Sequence, residues 1–441
     1  MRDVVITLLF AAGAIAAFRR PFYGALLWVW FGLMNPHRLT FGFAYDLPFA
    51  QAAVIVIVFA SLLHTREVKW PKGAPVMLLL ALVVWMGLTT VNAILPVPAW
   101  NKYVEVLKVL GLTVVVACLI HNREHIIGLV WTVVASIGFF GIKGGIFTIV
   151  TGGSFQVWGP PSSVVEGNNE LAVALVTTIP LMYFLAAHPR QAREFFPASW
   201  ISERWIKRGL VVSMMLCAAA AVGSQSRGAL LGILAMATML WWRARSKLRL
   251  ALILILAVTV ALPMMPDSWF QRMETIQTYQ TDQSAMGRVN AWGMAVNIAN
   301  DRVLGAGFPT ANSTVFGMYS PRSGPEWILV AHSIYFQMLG EHGYVGLALY
   351  LALWISTYLM AGRLVRMGGQ HADLAWVKTL GNMCKVSMVG FGAGAAFLSL
   401  AYWDMPYYIM VIVVAAHNFS RTQLAGNLAT PVPVLGERRP A

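Results

Sequence analysis

Residues Ala74–Ile94 read APVMLLLALVVWMGLTTVNAI, an apolar run that contains no charged side chain. A helix needs about 20 predominantly apolar residues to cross the hydrocarbon core of a bilayer, so this run is long enough to span a membrane. Comparable runs recur along most of the chain, for example Val104–Ile120, Leu248–Met265 and Val345–Met360. We therefore expect an all-α polytopic membrane protein with about twelve transmembrane helices.

The composition agrees with this class. Hydrophobic residues form 58% of the 441-residue chain and charged residues only 11%, against roughly 25% in soluble domains. The count is open between about twelve and thirteen spans, because Val4–Phe18 and Phe22–Met34 are short and Leu380–His417 fits two spans or one span plus a re-entrant segment. No small-residue cleavage site precedes Arg19, so the first segment is expected to be a retained helix.

The formal net charge of +14 does not indicate a nucleic-acid partner. Basic residues lie in short loops on alternate sides of the apolar runs, as the positive-inside rule expects for cytoplasmic loops. These loops hold Arg66, Lys69, Lys72, Arg190, Arg193, Arg204, Lys207, Arg208, Arg243, Arg245, Lys247, Arg249, Arg363, Arg366 and Lys378. The rule places the C-terminus in the cytoplasm, and it places Gly152–Asn169, Ser224–Arg227 and Pro266–Ala331 on the outer face.

Pro266–Ala331 is an insertion of about 65 residues, too long for an ordinary connector and therefore expected to be functional. It divides the chain into N-terminal transmembrane helices (1–265), a large outer loop (266–331), C-terminal transmembrane helices (332–418) and a disordered cytoplasmic tail (419–441). Within the loop, Phe270–Tyr279 and Arg288–Ile298 are predicted to be short helices, the second of them amphipathic.

One cationic candidate is Arg227, at the outer end of the span that begins at Gly228. A helix N-terminus presents free N–H groups and a partial positive charge, and a guanidinium added there suits an anion such as a phosphate. Gln225 flanks it and is included as a substrate-binding candidate. The alternative is an interfacial anchor that extends toward lipid headgroups.

A second set of candidates lies in and after the insertion. Arg288, four residues before Trp292, is expected to face the same cavity as Arg227, although alone it would be interpreted as a solvated loop charge. His332 and Ser333 open the segment Ala331–Gly346, AHSIYFQMLGEHGYVG. Titratable groups near a bilayer are functional candidates, and histidine is suited to proton transfer near neutral pH. Two arginines and one histidine on one face suit a diphosphate and a proton acceptor.

Three further residues are weaker substrate-binding candidates. Asn168 and Asn169 open the span at Leu171, where they fit a helix N-terminus as well as they fit sugar hydroxyls. Lys143 lies in the apolar stretch GIKGGIF near its outer end. It is suited either to neutralise a phosphate or to extend to the interface, and the glycines around it allow close helix packing.

We expect neither a metal nor a cofactor. The outer loops contain few carboxylates and no close acidic pair, whereas a divalent cation that holds a diphosphate normally requires carboxylates. The three cysteines, Cys118, Cys217 and Cys384, lie in apolar helices and are predicted to be packing thiols. No HExxH motif, P-loop or complete dinucleotide-binding motif is found in the sequence.

The combination of motifs resembles the bacterial O-antigen ligase and polymerase superfamily. It consists of Ser226-Arg227-Gly228 at a helix start, Arg288-x-x-x-Trp292 in the large loop, and His332-Ser333 followed by Gly343-x-x-Gly346. The resemblance extends from about Leu171 to Gly346. The stretches GIKGGIFTIVTGG, GPPSSVVEGNNELA and SQSRGALLG are similar to the O-glycosylation ligase subgroup.

This resemblance implies a GT-C-type, metal-independent, inverting glycosyltransferase of the bacterial inner membrane, with its active site facing the periplasm. Such ligases transfer O-antigen glycan from undecaprenyl diphosphate to lipid A–core and so complete lipopolysaccharide. By position, Arg227 and Arg288 match the diphosphate-binding arginines of the family, and His332 matches its essential histidine.

Two alternative enzymes use the same lipid-linked donor: an O-antigen polymerase and a protein O-glycosylation ligase. A lipid-linked oligosaccharide flippase is an alternative of another class. A flippase needs charges along a path through the membrane midplane. The charged candidates of this chain collect at one face instead, which favours an enzyme.

Overall fold

The computed structural model describes residues 1–195, 201–244, 246–261, 270, 283–322, 324 and 327–429. This part of the chain is helical and contains no strand. The helices are α1 (Arg2–Arg19), α2 (Pro21–Met34), α3 (Phe49–Leu63), α4 (Ala74–Val91), α5 (Pro96–Leu119), α6 (Arg123–Val150), α7 (Asn168–Ala187), α8 (Pro189–Glu194), α9 (Glu203–Gly223), α10 (Arg227–Arg243), α11 (Lys247–Ala261), α12 (Gln283–Asp301), α13 (Ser313–Tyr319), α14 (Ile334–Gln370), α15 (Ala375–Gly394) and α16 (Asp404–Ala429).

Five of the described helices are long and apolar enough to cross a membrane by length and composition: α4, α6, α7, α9 and α14. Two more, α2 and α3, are apolar but shorter. The expected all-α, multi-pass architecture is therefore confirmed at this level, while the number of about twelve spans stays a prediction. Helix α4 covers the run Ala74–Ile94 except for its last three residues, since it ends at Val91.

The core of the bundle is formed by α6, α7, α15 and α16. Helix α16 is buried nearly all round, and Tyr407 and Tyr408 are completely inaccessible. Helices α6 and α9 approach closely because glycine faces the contact: a Cβ atom on Gly145 would overlap the Leu216 carbonyl group. Small residues permit such close contacts between membrane helices, as expected for the glycines beside Lys143.

Leu380–His417 contains most of α15 and the first part of α16, and whether both helices cross the membrane stays a prediction. In the insertion, α12 contains the predicted helix Arg288–Ile298 and extends it at both ends, and α13 was not expected. The predicted helix Phe270–Tyr279 lies outside the described residues except for Phe270.

The predicted cytoplasmic tail from residue 419 stays a prediction, but its first residues are helical. Helix α16 continues to Ala429 because its packed face does not end at His417. Ser420 is completely buried and its hydroxyl donates to the Ala416 carbonyl group at 2.8 Å. Residues 430–441 lie outside the described part of the chain.

Candidate functional site

The insertion is fixed to one end of the helix bundle through α4 and the connection that follows it. Arg302, after α12, donates to the Asn92 carbonyl group at 2.8 Å and to that of Gly305 at 3.0 Å. The Ile94 N–H group donates to the Ala306 carbonyl group at 2.9 Å. We call this end of the bundle, where the insertion docks on the beginning of α14, the His332 end.

The beginning of α14 is bent at Gly343, whose φ of 66° and ψ of −173° interrupt the helix. The segment Gly305–Gly307 packs against this bend and is hydrogen-bonded to it. Ala306 N–H donates to the Gly340 carbonyl group at 2.9 Å, and Gly307 N–H donates to that of Glu341 at 3.0 Å. The Gly343-x-x-Gly346 motif therefore marks the place where the insertion bonds to the helix backbone.

His332 lies immediately before α14, in a backbone conformation that non-glycine residues rarely adopt, with a φ of 41°. Two contacts hold this turn. The His332 N–H group donates to Ser399 Oγ at 3.1 Å, and Trp292 Nε1 donates to the Ala331 carbonyl group at 2.7 Å. Strained conformations of this kind persist where the surroundings enforce them, often at functional sites.

The imidazole of His332 is half-buried. Burial lowers its pKa from the ordinary value, and the positive charge of Arg288 lowers it further. Both effects disfavour the charged form of histidine. The lowered pKa of His332 therefore favours its neutral form, which is the form that can accept a proton.

The charge of Arg288 acts both on His332 and on the beginning of α7. Arg288 is half-buried on α12, one helical turn before Trp292, so the two side chains share a helix face. In α7 its charge acts on Glu170, in the first turn of the helix. Trp292 stacks on Phe336 with ring centroids 4.9 Å apart, which fixes α12 against α14.

Arg227 is the first residue of α10, as expected, and Ser226 caps the helix by accepting the Ala229 N–H group at 3.2 Å. The preceding turn is fixed by two side chains. Gln225 donates to the Gly153 carbonyl group at 3.2 Å, and Asn168 donates to that of Ser224 at 2.8 Å. The N-termini of α7 and α10 therefore lie side by side.

The connection between α15 and α16, residues 395–403, borders both arginine-bearing elements and the histidine turn. At its start, a Cβ atom on Gly228 would lie 3.2 Å from the Gly394 carbonyl oxygen. Phe397 packs on Trp292 at 5.9 Å between ring centroids, and Ser399 binds the His332 backbone. The elements that bear Arg227, Arg288 and His332 are thus assembled around one short segment.

The other predicted substrate-binding residues have different surroundings. Asn168, Gln225 and Trp292 make the backbone hydrogen bonds described above, so each has a structural task. Ser333 is buried at the N-cap position of α14, and its hydroxyl makes no capping bond.

Asn169 is partly accessible at the start of α7. Lys143 is exposed on α6, which agrees with the interpretation as an interfacial lysine.

A buried polar network near the bend of α14 was not predicted. Tyr402 donates to Glu341, His342 Nε2 lies 2.9 Å from the Tyr402 hydroxyl, and His342 Nδ1 lies 2.7 Å from Thr89 Oγ1. His342 and Thr89 are fully inaccessible. Glu341 and His342 belong to the segment Ala331–Gly346, but Tyr402 is too distant along the chain to be associated with them.

Among the described residues, no group of three or more His, Cys, Asp and Glu side chains is placed to hold a metal ion. Glu170 and Glu341 lie on different helices, and Glu341 is engaged with Tyr402. Independence from metals remains a prediction.

Two segments of the chain match known families. Residues 1–190 match a family of unknown function (DUF5935), and residues 212–351 match the O-antigen ligase family. The second match supports an O-antigen ligase-type family. No curated protein matches the chain.

The O-antigen ligase match begins within α9 and ends in α14, so it contains Arg227, Arg288 and His332. It indicates a function of the O-antigen ligase or polymerase type, with lipid-linked glycans as substrates and a multi-pass membrane location. Glu170 lies in the first matched segment, and Tyr402 lies beyond both.

Proposed function

We propose that the protein is an O-antigen ligase of the bacterial inner membrane. It transfers O-antigen glycan from undecaprenyl diphosphate to lipid A–core at the periplasmic face and so completes lipopolysaccharide. Within the proposal the fold is of the GT-C type with about twelve spans, and transfer is inverting and metal-independent. The observation that carries the proposal is a half-buried histidine in a strained turn, within electrostatic range of Arg288, inside the segment of the O-antigen ligase match.

The arginines are assigned to the diphosphate. Its negative charge grows as the glycosidic bond breaks, so fixed guanidinium groups stabilise the transition state more than the bound donor. Arg227 adds its charge to the N–H groups at the start of α10, an arrangement that suits phosphate oxygens. The charge of Arg288 acts on both Glu170 and His332, so it is available near the histidine turn.

His332 is assigned to the acceptor. A neutral imidazole takes the proton of the attacking hydroxyl as the new glycosidic bond forms, a contribution of about a hundred- to ten-thousandfold in rate. Its pKa, lowered by burial and by Arg288, keeps the accepting form populated at neutral pH. Ser399 and Trp292 act on the backbone of the turn and thereby fix the position of the ring.

An apolar groove supports a lipid-linked donor. A cavity of about 260 Å³ between α14, α15 and α16 begins at Ile334 and Tyr335, directly after the histidine turn. Aromatic and aliphatic side chains, among them Trp354, Ile355 and Tyr358, line it further along α14. We propose that part of the polyprenyl chain lies along this apolar surface, with the diphosphate at the histidine turn.

The decisive experiment is a reconstituted transfer reaction. Purified protein receives an undecaprenyl-diphosphate glycan together with lipid A–core, a pilin-like protein or no added acceptor, each with and without excess EDTA. We expect glycan on lipid A–core, in EDTA as well as without it. Product on the protein acceptor would instead identify an O-glycosylation ligase, and longer lipid-linked glycan without an acceptor would identify a polymerase.

Variants separate the two roles. Arg227→Ala and Arg288→Ala should weaken donor binding roughly ten- to hundredfold, since each removes a charge-assisted contact. Lysine at either position keeps the charge but not the bidentate geometry and should restore binding only in part.

His332→Ala should abolish transfer and retain most donor binding. Arg322→Ala is the matched control, because Arg322 is an exposed cation of the same insertion that lies over the Trp327 ring. Near-normal transfer by His332→Ala would refute its catalytic role. Loss of donor binding in that variant would move His332 into the diphosphate site.

A further inference from the structure

A large basic cavity lies at the end of the bundle opposite to His332. It has a volume of about 810 Å³ and is lined by the segment before α4, the turn between α5 and α6, and the last turns of α16. The His332 end is formed by the other ends of α4 and α16. Since α4 has 18 residues, the two ends are about 27 Å apart, close to the thickness of the hydrocarbon core.

The charge of the cavity has one sign. Lys69, Lys72 and Arg421 line it, and no aspartate or glutamate does. These cations come from two segments far apart in the chain, so the fold brings them together around one space. Polar neutral groups of Asn122, Thr422 and Gln423 complete the lining, and they can share hydrogen bonds with an oxyanion.

The three cations also differ from three other basic residues at this end, Arg20, Arg123 and Arg243. Within the described chain, Lys69, Lys72 and Arg421 form no salt bridge shorter than 4.0 Å and no contact with an aromatic face. Those three residues are neutralised or hydrogen-bonded: Arg20 with Glu124, Arg123 with Glu194, and Arg243 with Asn382. The positive-inside rule explains why basic residues lie at this end, but it does not explain why three of them line one cavity.

From this geometry we propose that the cavity binds an anionic phosphate group, at the membrane face opposite to the His332 site. The volume lies within the range of about 300–1,000 Å³ that is typical of ligand pockets, so a group larger than one phosphate can enter. Trp70 is 55% exposed at the edge of the cavity. Tryptophan is enriched at membrane interfaces, where phospholipid headgroups are available.

Native mass spectrometry of the full-length protein in detergent tests the proposal. The probes are tetraoleoyl cardiolipin, dioleoyl phosphatidylglycerol, zwitterionic dioleoyl phosphatidylethanolamine and inorganic pyrophosphate. We expect the anionic probes to bind and the zwitterionic lipid to bind less. In Lys72→Ala/Arg421→Ala the affinity should fall about fivefold for each cation removed. Arg366→Ala, an exposed cation at the C-terminal end of α14 that does not line the cavity, should change little.

The arms distinguish the source of the phosphate. Lipid binding without competition from pyrophosphate identifies a headgroup site, and effective competition identifies a site for a soluble phosphate compound. Equal affinities for wild type and the double variant, or an equal loss in Arg366→Ala, would overturn the proposal.

A second measurement does not depend on the variants. Photoactivatable phosphatidylglycerol or an azido-pyrophosphate analogue, added to the wild type, should label peptides that contain Lys72 and Arg421. Labelling confined to other peptides would also overturn the proposal.

Discussion

Gly343 allows the strongest test of how the insertion and α14 depend on each other. Its φ of 66° and ψ of −173° lie in a region that is open essentially to glycine alone, and an added Cβ atom would overlap the Val303 carbonyl oxygen. Gly343→Ala should therefore cost about 1–3 kcal/mol in backbone strain. Displacing Val303 should also break the hydrogen bonds from Ala306 and Gly307 to α14, at about 1 kcal/mol each.

The total of roughly 3–5 kcal/mol is large against the marginal stability of proteins and should be visible in unfolding experiments. Gly362→Ala is the matched control, because Gly362 is in the same helix and an added Cβ atom would meet nothing closer than Lys385 Nζ at 3.8 Å. Alanine is the better helix former there, so this variant should be neutral or slightly more stable. The measurement is the midpoint of SDS-induced unfolding for wild type and both variants. Equal midpoints for the two alanine variants would refute the role of the bend.

Three further predictions concern the network, the histidine and the topology. Tyr402→Phe should destabilise the protein more than Tyr407→Phe in the same unfolding assay, because Tyr402 serves two buried partners and Tyr407 one carbonyl group; equal losses would contradict this. Because the pKa of His332 is lowered and its neutral form accepts the proton, transfer should fall only as pH drops below about 6.5; an acid limb above that value would exclude His332 as the titrating group. A cysteine at Thr314 should react with an impermeant thiol reagent on intact spheroplasts and one at Arg366 should not, in a cysteine-free background; the reverse result would place the His332 end in the cytoplasm.

Much of the architecture is accessible from the sequence because membrane helices have a strong one-dimensional signal. The run Ala74–Ile94 predicts α4 nearly to its last residue. The predicted span from Gly228 likewise agrees within one residue with α10, which begins at Arg227 and is capped by Ser226. The end of α16 was missed because a helix that continues beyond its apolar run is held by packing of a few residues, here Ser420, which hydropathy does not detect.

The arrangement of the site is only partly accessible in this way. Arg288 and His332 are recognisable by residue type, but the contacts that fix the histidine turn come from Trp292 and from Ser399. Ser399 is an ordinary serine in an apolar sequence, and nothing local distinguishes it. Its importance arises from a fold that places residues 395–403 beside the turn, and that is a long-range property.

The distribution of buried acidic groups bears on the choice between an enzyme and a transporter. The buried carboxylates of the described chain, Glu341 and Asp404, lie near the beginnings of α14 and α16, both at the His332 end. Glu341 is closed off by Tyr402, and Asp404 accepts a hydrogen bond from Tyr408 at 3.3 Å. A translocation path would require such groups to continue toward the opposite face and to remain available to the cargo. Both buried carboxylates are instead hydrogen-bonded at one end of the bundle, which favours a fixed transferase site over a translocation path.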